Sequence, residues 1–161
     1  MKVSAKIIFA IVSAVLFIRP VFSQEDRWNE LNNKAAEFYQ QGKYQEAIET
    51  SREALKVVKD SFGPAHPNVV ICLNNLGGLY RAQGKFSEAE PFLKLALLIK
   101  EKTLGSDHPE VAISLNNLAL LYSSQGKFEE AERLYKKALE IDEKTQGKEQ
   151  PVVATDLSNL A

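Results

Sequence analysis

A 42-residue period governs this chain. Shifted against itself by that length, the sequence aligns Leu31, Leu73, Leu115 and Leu157, then Phe38, Tyr80 and Tyr122. Gly42, Gly84 and Gly126 align as well, as do Ala54, Ala96 and Ala138. Gly63, Gly105 and Gly147 recur, and Pro67, Pro109 and Pro151 follow them. A chain repeated at this length is a stack of supersecondary units, each burying its apolar side on the next. The period therefore decides the fold before local propensity does. It places a first, degenerate unit over 31–72, a second over 73–114, a third over 115–156 and the opening of a fourth over 157–161.

Each unit reads as two helices. Leu73, Leu76, Gly77 and Tyr80 fall at i, i+3, i+4 and i+7, one stripe of an α-helix. Gly84 supplies the left-handed conformation that a helix C-terminus needs. The second helix carries Ala89, Leu93, Ala96, Leu97 and Ile99 on its apolar side. Ser87 and Glu90 have the spacing of a capping box, with Pro91 close behind, where the first turn has few donors to lose. Gly105 stops this helix and Pro109 suits the first turn of the next. The small side chains of Ala89 and Ala96 let the two helices approach closely.

Leu73, Leu76, Gly77, Tyr80, Ala89, Leu93 and Ala96 match the spaced pattern of the tetratricopeptide repeat. The long period, with LNNLA at 115–119, QGKF and DHPEVA at 107–112, resembles the kinesin light chain type of that family. The resemblance implies an all-α fold, a right-handed superhelical solenoid of helix-turn-helix repeats. In that family the stripe beside the core on each first helix lines a concave groove that holds peptides. Carried over, it implies a ligand-binding face at Asn32, Asn74, Gly78, Arg81, Asn116, Leu120 and Ser123. An amide both donates to and accepts from a peptide backbone. The second asparagine of each pair, Asn75 or Asn117, is expected to tie adjacent units together. Leu120 and Ser123 provide no basic ladder to continue from Arg81, so a carboxylate clamp is not expected.

The ends read differently from the middle. Lys2 and Lys6 precede an uncharged, largely apolar run from Ile7 to Ile18, broken by Arg19-Pro20 and followed by Val21-Phe22-Ser23. That is the order of a secretory signal peptide over 1–23, with cleavage after Ser23. The run is short for a bilayer span, which needs roughly 20 residues, so an uncleaved anchor is the lesser alternative. Export to a periplasm or the medium is expected. Cleavage removes three bases and no acid, leaving 17 basic and 21 acidic residues, net −4. A flank over 24–30 follows, where Trp28 is placed to cover the end of the core. Lys34 and Ser51 replace apolar residues of later units, as an end repeat with a polar outer face would. The unfinished unit at 157–161 suggests a fragment of a longer chain, or an edge that docks on another copy.

No pattern for catalysis emerges. Cys72 stands alone, which excludes a disulfide framework within the chain, and it is expected to be a small residue tolerated near a helix start. His66 and His108 recur with the period in the loops before Pro67 and Pro109, where Asp107-His108-Pro109 can cap the following helix. Two histidines in separate loops make no metal site. No phosphate-binding glycine loop or Ser/His/Asp order is present, and no cofactor is expected. With 20 basic and 21 acidic residues there is no electrostatic case for nucleic acid. The expectation is a non-enzymatic scaffold binding a protein or peptide. Its alternative is the docking part of a larger enzyme or signalling protein whose catalytic domain lies beyond Ala161.

Overall fold

The computed structural model describes residues 21–146. The expected leader, apart from its last three residues, and the opening of the fourth unit lie outside the described residues. Among these residues there are six helices and no strand. They are α1 (Val21–Gln40), α2 (Tyr44–Phe62), α3 (Pro67–Ala82), α4 (Phe86–Leu104), α5 (Pro109–Ser124) and α6 (Phe128–Gln146). Each packs on its neighbours in sequence, and α3 also touches α5. The all-α repeat fold is the expected one. Helix pairs begin at Pro67 and Pro109, so the 24–30 flank is part of α1 and not a separate segment.

Glycine and proline set the two kinds of turn. Within a pair, Gly84 has φ +71°, and the N–H of Lys85 donates back to the Tyr80 carbonyl at 2.9 Å. Gly84 N–H reaches the Arg81 carbonyl at 2.9 Å, which completes a Schellman closure. The same closure recurs at Gly42 and Gly126. Between pairs the turn is longer, and the following helix starts on proline. His66 and His108 are the N-caps: their Nδ1 atoms accept from Asn68 N–H at 3.2 Å and Glu110 N–H at 3.1 Å. The expected capping of this loop is present, with the imidazole as acceptor.

The capping box expected at Ser87 and Glu90 is not formed. The helix starts at Phe86 with Lys85 as its cap residue, and no side chain closes it. Glu90 instead pairs with Lys94 at 2.6 Å and accepts from the Tyr122 hydroxyl at 3.1 Å. Pro91 is accordingly two positions deeper in the helix than its spacing suggested. It removes an N–H that would reach the Ser87 carbonyl, on an exposed side of the helix.

The core runs lengthwise. Leu73, Leu76, Leu115 and Leu121 are fully buried, each contributing roughly 1.5–3 kcal/mol of apolar burial. The alanines Ala47, Ala89, Ala96 and Ala138 are completely covered at the helix contacts. Gly77 shows how tight these contacts are: a Cβ added there would meet Leu93 at 2.5 Å. Trp28 joins the core from α1, and its Nε1–H donates to Cys72 Sγ at 3.2 Å. Burial pushes the Cys72 thiol up, so it behaves as a packed apolar group.

A groove along the first helices of the repeats

The groove is built from one helical stripe, repeated three times. On α3, Asn74, Gly78 and Arg81 follow at i, i+4 and i+7, with Asn75 beside them. On α1 the same registers hold Asn32, Ala36 and Tyr39; on α5 they hold Asn116, Leu120 and Ser123. Packing the helices side by side turns these stripes into two adjoining hollows. The larger, about 380 Å³, lies between α1 and α3, with Ser51 of α2 beneath. The smaller, about 210 Å³, lies between α3 and α5 over Leu93 of α4. Asn74, Asn75, Gly78 and Arg81 line both, so the hollows form one continuous surface.

The structure brings together Asn32, Asn74, Gly78, Arg81 and Leu120 on this surface. Asn116 and Ser123 lie on the same helix but outside the lining of both hollows. Asn75 Nδ2 donates to Asn32 Oδ1 at 2.9 Å, so an asparagine expected to join units does so, and its partner is one expected to meet ligand. Asn117, expected to be structural, lines the smaller hollow. The spacing contained that signal: Asn32 and Asn75 are separated by one period plus one residue, which sets them diagonally across neighbouring helices.

The expectation that Ser51 belongs to the polar outer face of an end repeat is corrected by the structure. It is 3% exposed, faces the larger hollow, and its hydroxyl has no hydrogen-bond partner among the described residues. Leu93 and Tyr135 occupy the same register later and are themselves buried. A serine there leaves space that those side chains fill. Asn74 Oδ1 is likewise buried without a partner.

The electrostatics are simple. Arg81, half-buried, makes no ion pair or side-chain hydrogen bond among the described residues, and no carboxylate lines either hollow. Burial pushes the Tyr135 phenol up, and the charge of Arg81 partly opposes that shift. No cluster of three metal-ligating side chains occurs among the described residues. The surface offers amides, one cation and apolar walls, and it is equipped for recognition.

The tetratricopeptide repeat model matches residues 29–102 and 79–144, which together span all three helix pairs. The chain belongs to the tetratricopeptide repeat family. Its tetratricopeptide fold is similar to that of BtubC (BKLC) from P. vanneervenii, at 25% identity and TM-score 0.74, covering 83% of this chain and 53% of that one. It is similar also to a kinesin light chain-type protein of Podosopora anserina with nearly identical TPR-like repeats. There the identity is 28% and the TM-score 0.73, over 83% of this chain and 64% of that one. The N-terminal domain of stress-induced protein-1 from C. elegans shares the fold alone, at 15% identity and TM-score 0.61, over 85% of this chain and 96% of that domain. This chain thus spans about half the length of BtubC and under two thirds of the Podosopora protein. No curated protein matches it in sequence.

Proposed function

We propose that this tetratricopeptide repeat protein is an exported, non-enzymatic scaffold that holds an extended segment of a protein partner along α1, α3 and α5. The carrying observation is the continuous surface around Asn74, Asn75, Gly78 and Arg81, with amides on successive helices and, at its centre, a cation that pairs with no side chain among the described residues. Amides spaced along a groove read a peptide backbone without demanding one sequence. Arg81, with no acid beside it, favours a partner segment that brings its own carboxylate. Stacked repeats supply a preformed surface, so binding loses little ordering entropy on the scaffold's side.

Export rests on the leader pattern over 1–23. Cleavage after Ser23 cuts within the first turn of α1 and leaves Trp28 and the rest of that helix in place. No helix among the described residues is long and apolar enough to cross a membrane. The test of the binding role is selection of peptides from a random extended library on the purified protein. Titration of the winners against Asn75→Ala and Asn117→Ala should then show at least about tenfold weaker binding, the loss expected of one or two backbone-directed hydrogen bonds. Unchanged affinity in both variants would overturn the assignment of this face. Intact mass of the protein from its own source tests the leader: a mass starting at Met1 refutes cleavage.

A further inference from the structure

The expected cut after Ser23 falls on the repeat register, although the leader pattern that sets it owes nothing to the repeat. Counting back from His66 and His108, the N-cap residues of α3 and α5, by one and two periods gives Gln24 on α1. The packing agrees with the count. Gln24 lines a hollow with Ser61 and Phe62 at the end of α2. His108 lines one with Thr145 at the end of α6, each residue two periods on from Gln24 and Ser61. In the uncut chain α1 reaches back to Val21, so Gln24 lies inside the helix. Removal of the leader makes it the first residue, and α1 then begins at the register where its two counterparts are capped.

A free amino terminus suits that register badly. A cap residue faces the unpaired N–H donors of the first turn and the positive end of the helix dipole. His66 and His108 meet them with a nitrogen lone pair, Nδ1, at 3.2 Å from the N–H of Asn68 and 3.1 Å from that of Glu110. Gln24 freed by cleavage brings an ammonium instead. Glu25 and Asp26 follow it, exposed, and a cation beside them weakens the charge they set against the helix end.

Glutamine in first place can remove that cation by itself. Its neutral α-amine attacks the carbon of its own side-chain carboxamide. The N–Cδ bond forms, the Cδ–Nε2 bond breaks, and the side-chain nitrogen leaves as ammonia with a proton from the amine. No oxidant, reductant or second substrate takes part, and both reacting groups belong to one residue, which gives the step its intramolecular advantage. The product is an uncharged five-membered lactam. Its ring restrains the backbone as proline does, and proline is what opens α3 and α5, at Pro67 and Pro109.

We infer that the mature protein begins with a pyroglutamyl residue, formed from Gln24 once the leader is gone, and that this lactam is the uncharged start of α1. The inference deepens the export reading and rests on cleavage after Ser23.

The test is mass spectrometry of the first proteolytic peptide of the protein from its own source. Stepwise N-terminal sequencing of the intact chain guards against ring closure during digestion. The expected peptide starts at Gln24, is lighter by one ammonia, and comes from a chain closed to sequencing. Gln24→Asn, one methylene shorter, would have to close a strained four-membered ring and should start with a free amine. Amide exchange at Arg27, compared before and after closure of the same mature chain, should slow by roughly two- to fivefold, as loss of a cation from a helix N-terminus allows. A peptide starting at Gln24 with its full mass overturns the lactam and leaves the export reading standing. A peptide that retains residues before Gln24 overturns the leader reading, and this inference with it. A blocked terminus on the Gln24→Asn protein overturns ring closure as the cause, and unchanged exchange at Arg27 overturns the lactam's role in α1.

Discussion

The two junctions between helix pairs have the same backbone and opposite chemistry. At the first, α2 meets α3 through Val58, which is completely buried among apolar neighbours. At the second, the same register is Lys100, and its ammonium pairs with Glu110 at the start of α5. Two more bridges flank it: Lys144 to Asp107 at 2.6 Å and Lys137 to Glu101 at 3.3 Å. The corresponding residues one period earlier are Lys102, Ala65, Leu95 and Lys59, which cannot form those pairs. The tyrosine that α3 and α5 share at one register also changes partner. Tyr80 accepts from Arg52 at 2.6 Å, while Tyr122 donates to Glu90. Glycine, proline and the histidine caps fix the geometry, so side chains at the junction are free to choose between burial and charge.

That contrast is most severely strained by placing the second junction's cation in the first. Val58→Lys would bury an ammonium without a carboxylate, at a cost of about 3–5 kcal/mol, since an uncompensated buried charge is among the largest single penalties. Adding Asn68→Glu recreates the Lys100–Glu110 arrangement and should restore at least roughly 1 kcal/mol of coupling. Urea unfolding of the single and double variants measures both. A double variant no more stable than the single one would show that the junctions are not interchangeable.

A second comparison sits within α3, at adjacent glycines. Gly77→Ala places a Cβ 2.5 Å from Leu93, where the helices are tightest. Overpacking of this kind should cost about 1–3 kcal/mol, outweighing the gain in helix propensity. Because Ala119 holds the same register over Tyr135, the cost comes from the Leu93 contact and not from the backbone. Gly77→Ala combined with Leu93→Ala should therefore be less than additive. Strict additivity in thermal unfolding would remove Leu93 as the cause.

These cases show what the sequence makes legible. The period, the turn glycines and the Pro-started helices were all visible, because each is a local backbone requirement repeated in register. The groove stripe was visible in part, since helical spacing puts Asn74, Gly78 and Arg81 in line. Contacts between helices were not. Lys137 and Glu101 are 36 residues apart, and Lys144 and Asp107 37; only the packing of α4 through α6 brings them together. Ser51 stands at the register of Leu93 and Tyr135, and an end repeat is expected to turn such a polar replacement outward; the register is nevertheless buried in all three pairs. Ser87 and Glu90 had the spacing of a capping box, yet the helix began only one residue before that serine.

The neighbouring glycine sharpens the comparison in the opposite direction. Gly78→Ala enters open space on a helix and should stabilise the protein by about 0.5–1 kcal/mol through reduced freedom of the unfolded chain. The same methyl narrows the groove, so peptides selected on the parent protein should lose affinity as stability rises. A variant that is more stable and binds equally well would place the bound segment away from α3.

The smallest effect concerns acid and salt, and it should appear at one junction only. Lys144 holds the Asp107 carboxyl below its ordinary value, chiefly by hydrogen bonding and then by charge. A carboxylate lowered on folding contributes stability above its unfolded value and loses it as pH falls through the folded one. The second junction should therefore loosen below roughly pH 4, while the first, built on Val58, has no counterpart to Asp107. Amide exchange at matched positions provides the readout: Val111 N–H donates to the His108 carbonyl at 2.8 Å, and Val69 N–H to that of His66 at 2.9 Å. Acidification to about pH 3, corrected for intrinsic exchange, or addition of about 0.5 M salt at neutral pH should lower protection at Val111 relative to Val69 by a few-fold at most, as exposed ion pairs allow. Equal loss at both amides would mean that the bridges are ornaments on a junction held by the same apolar packing as the first.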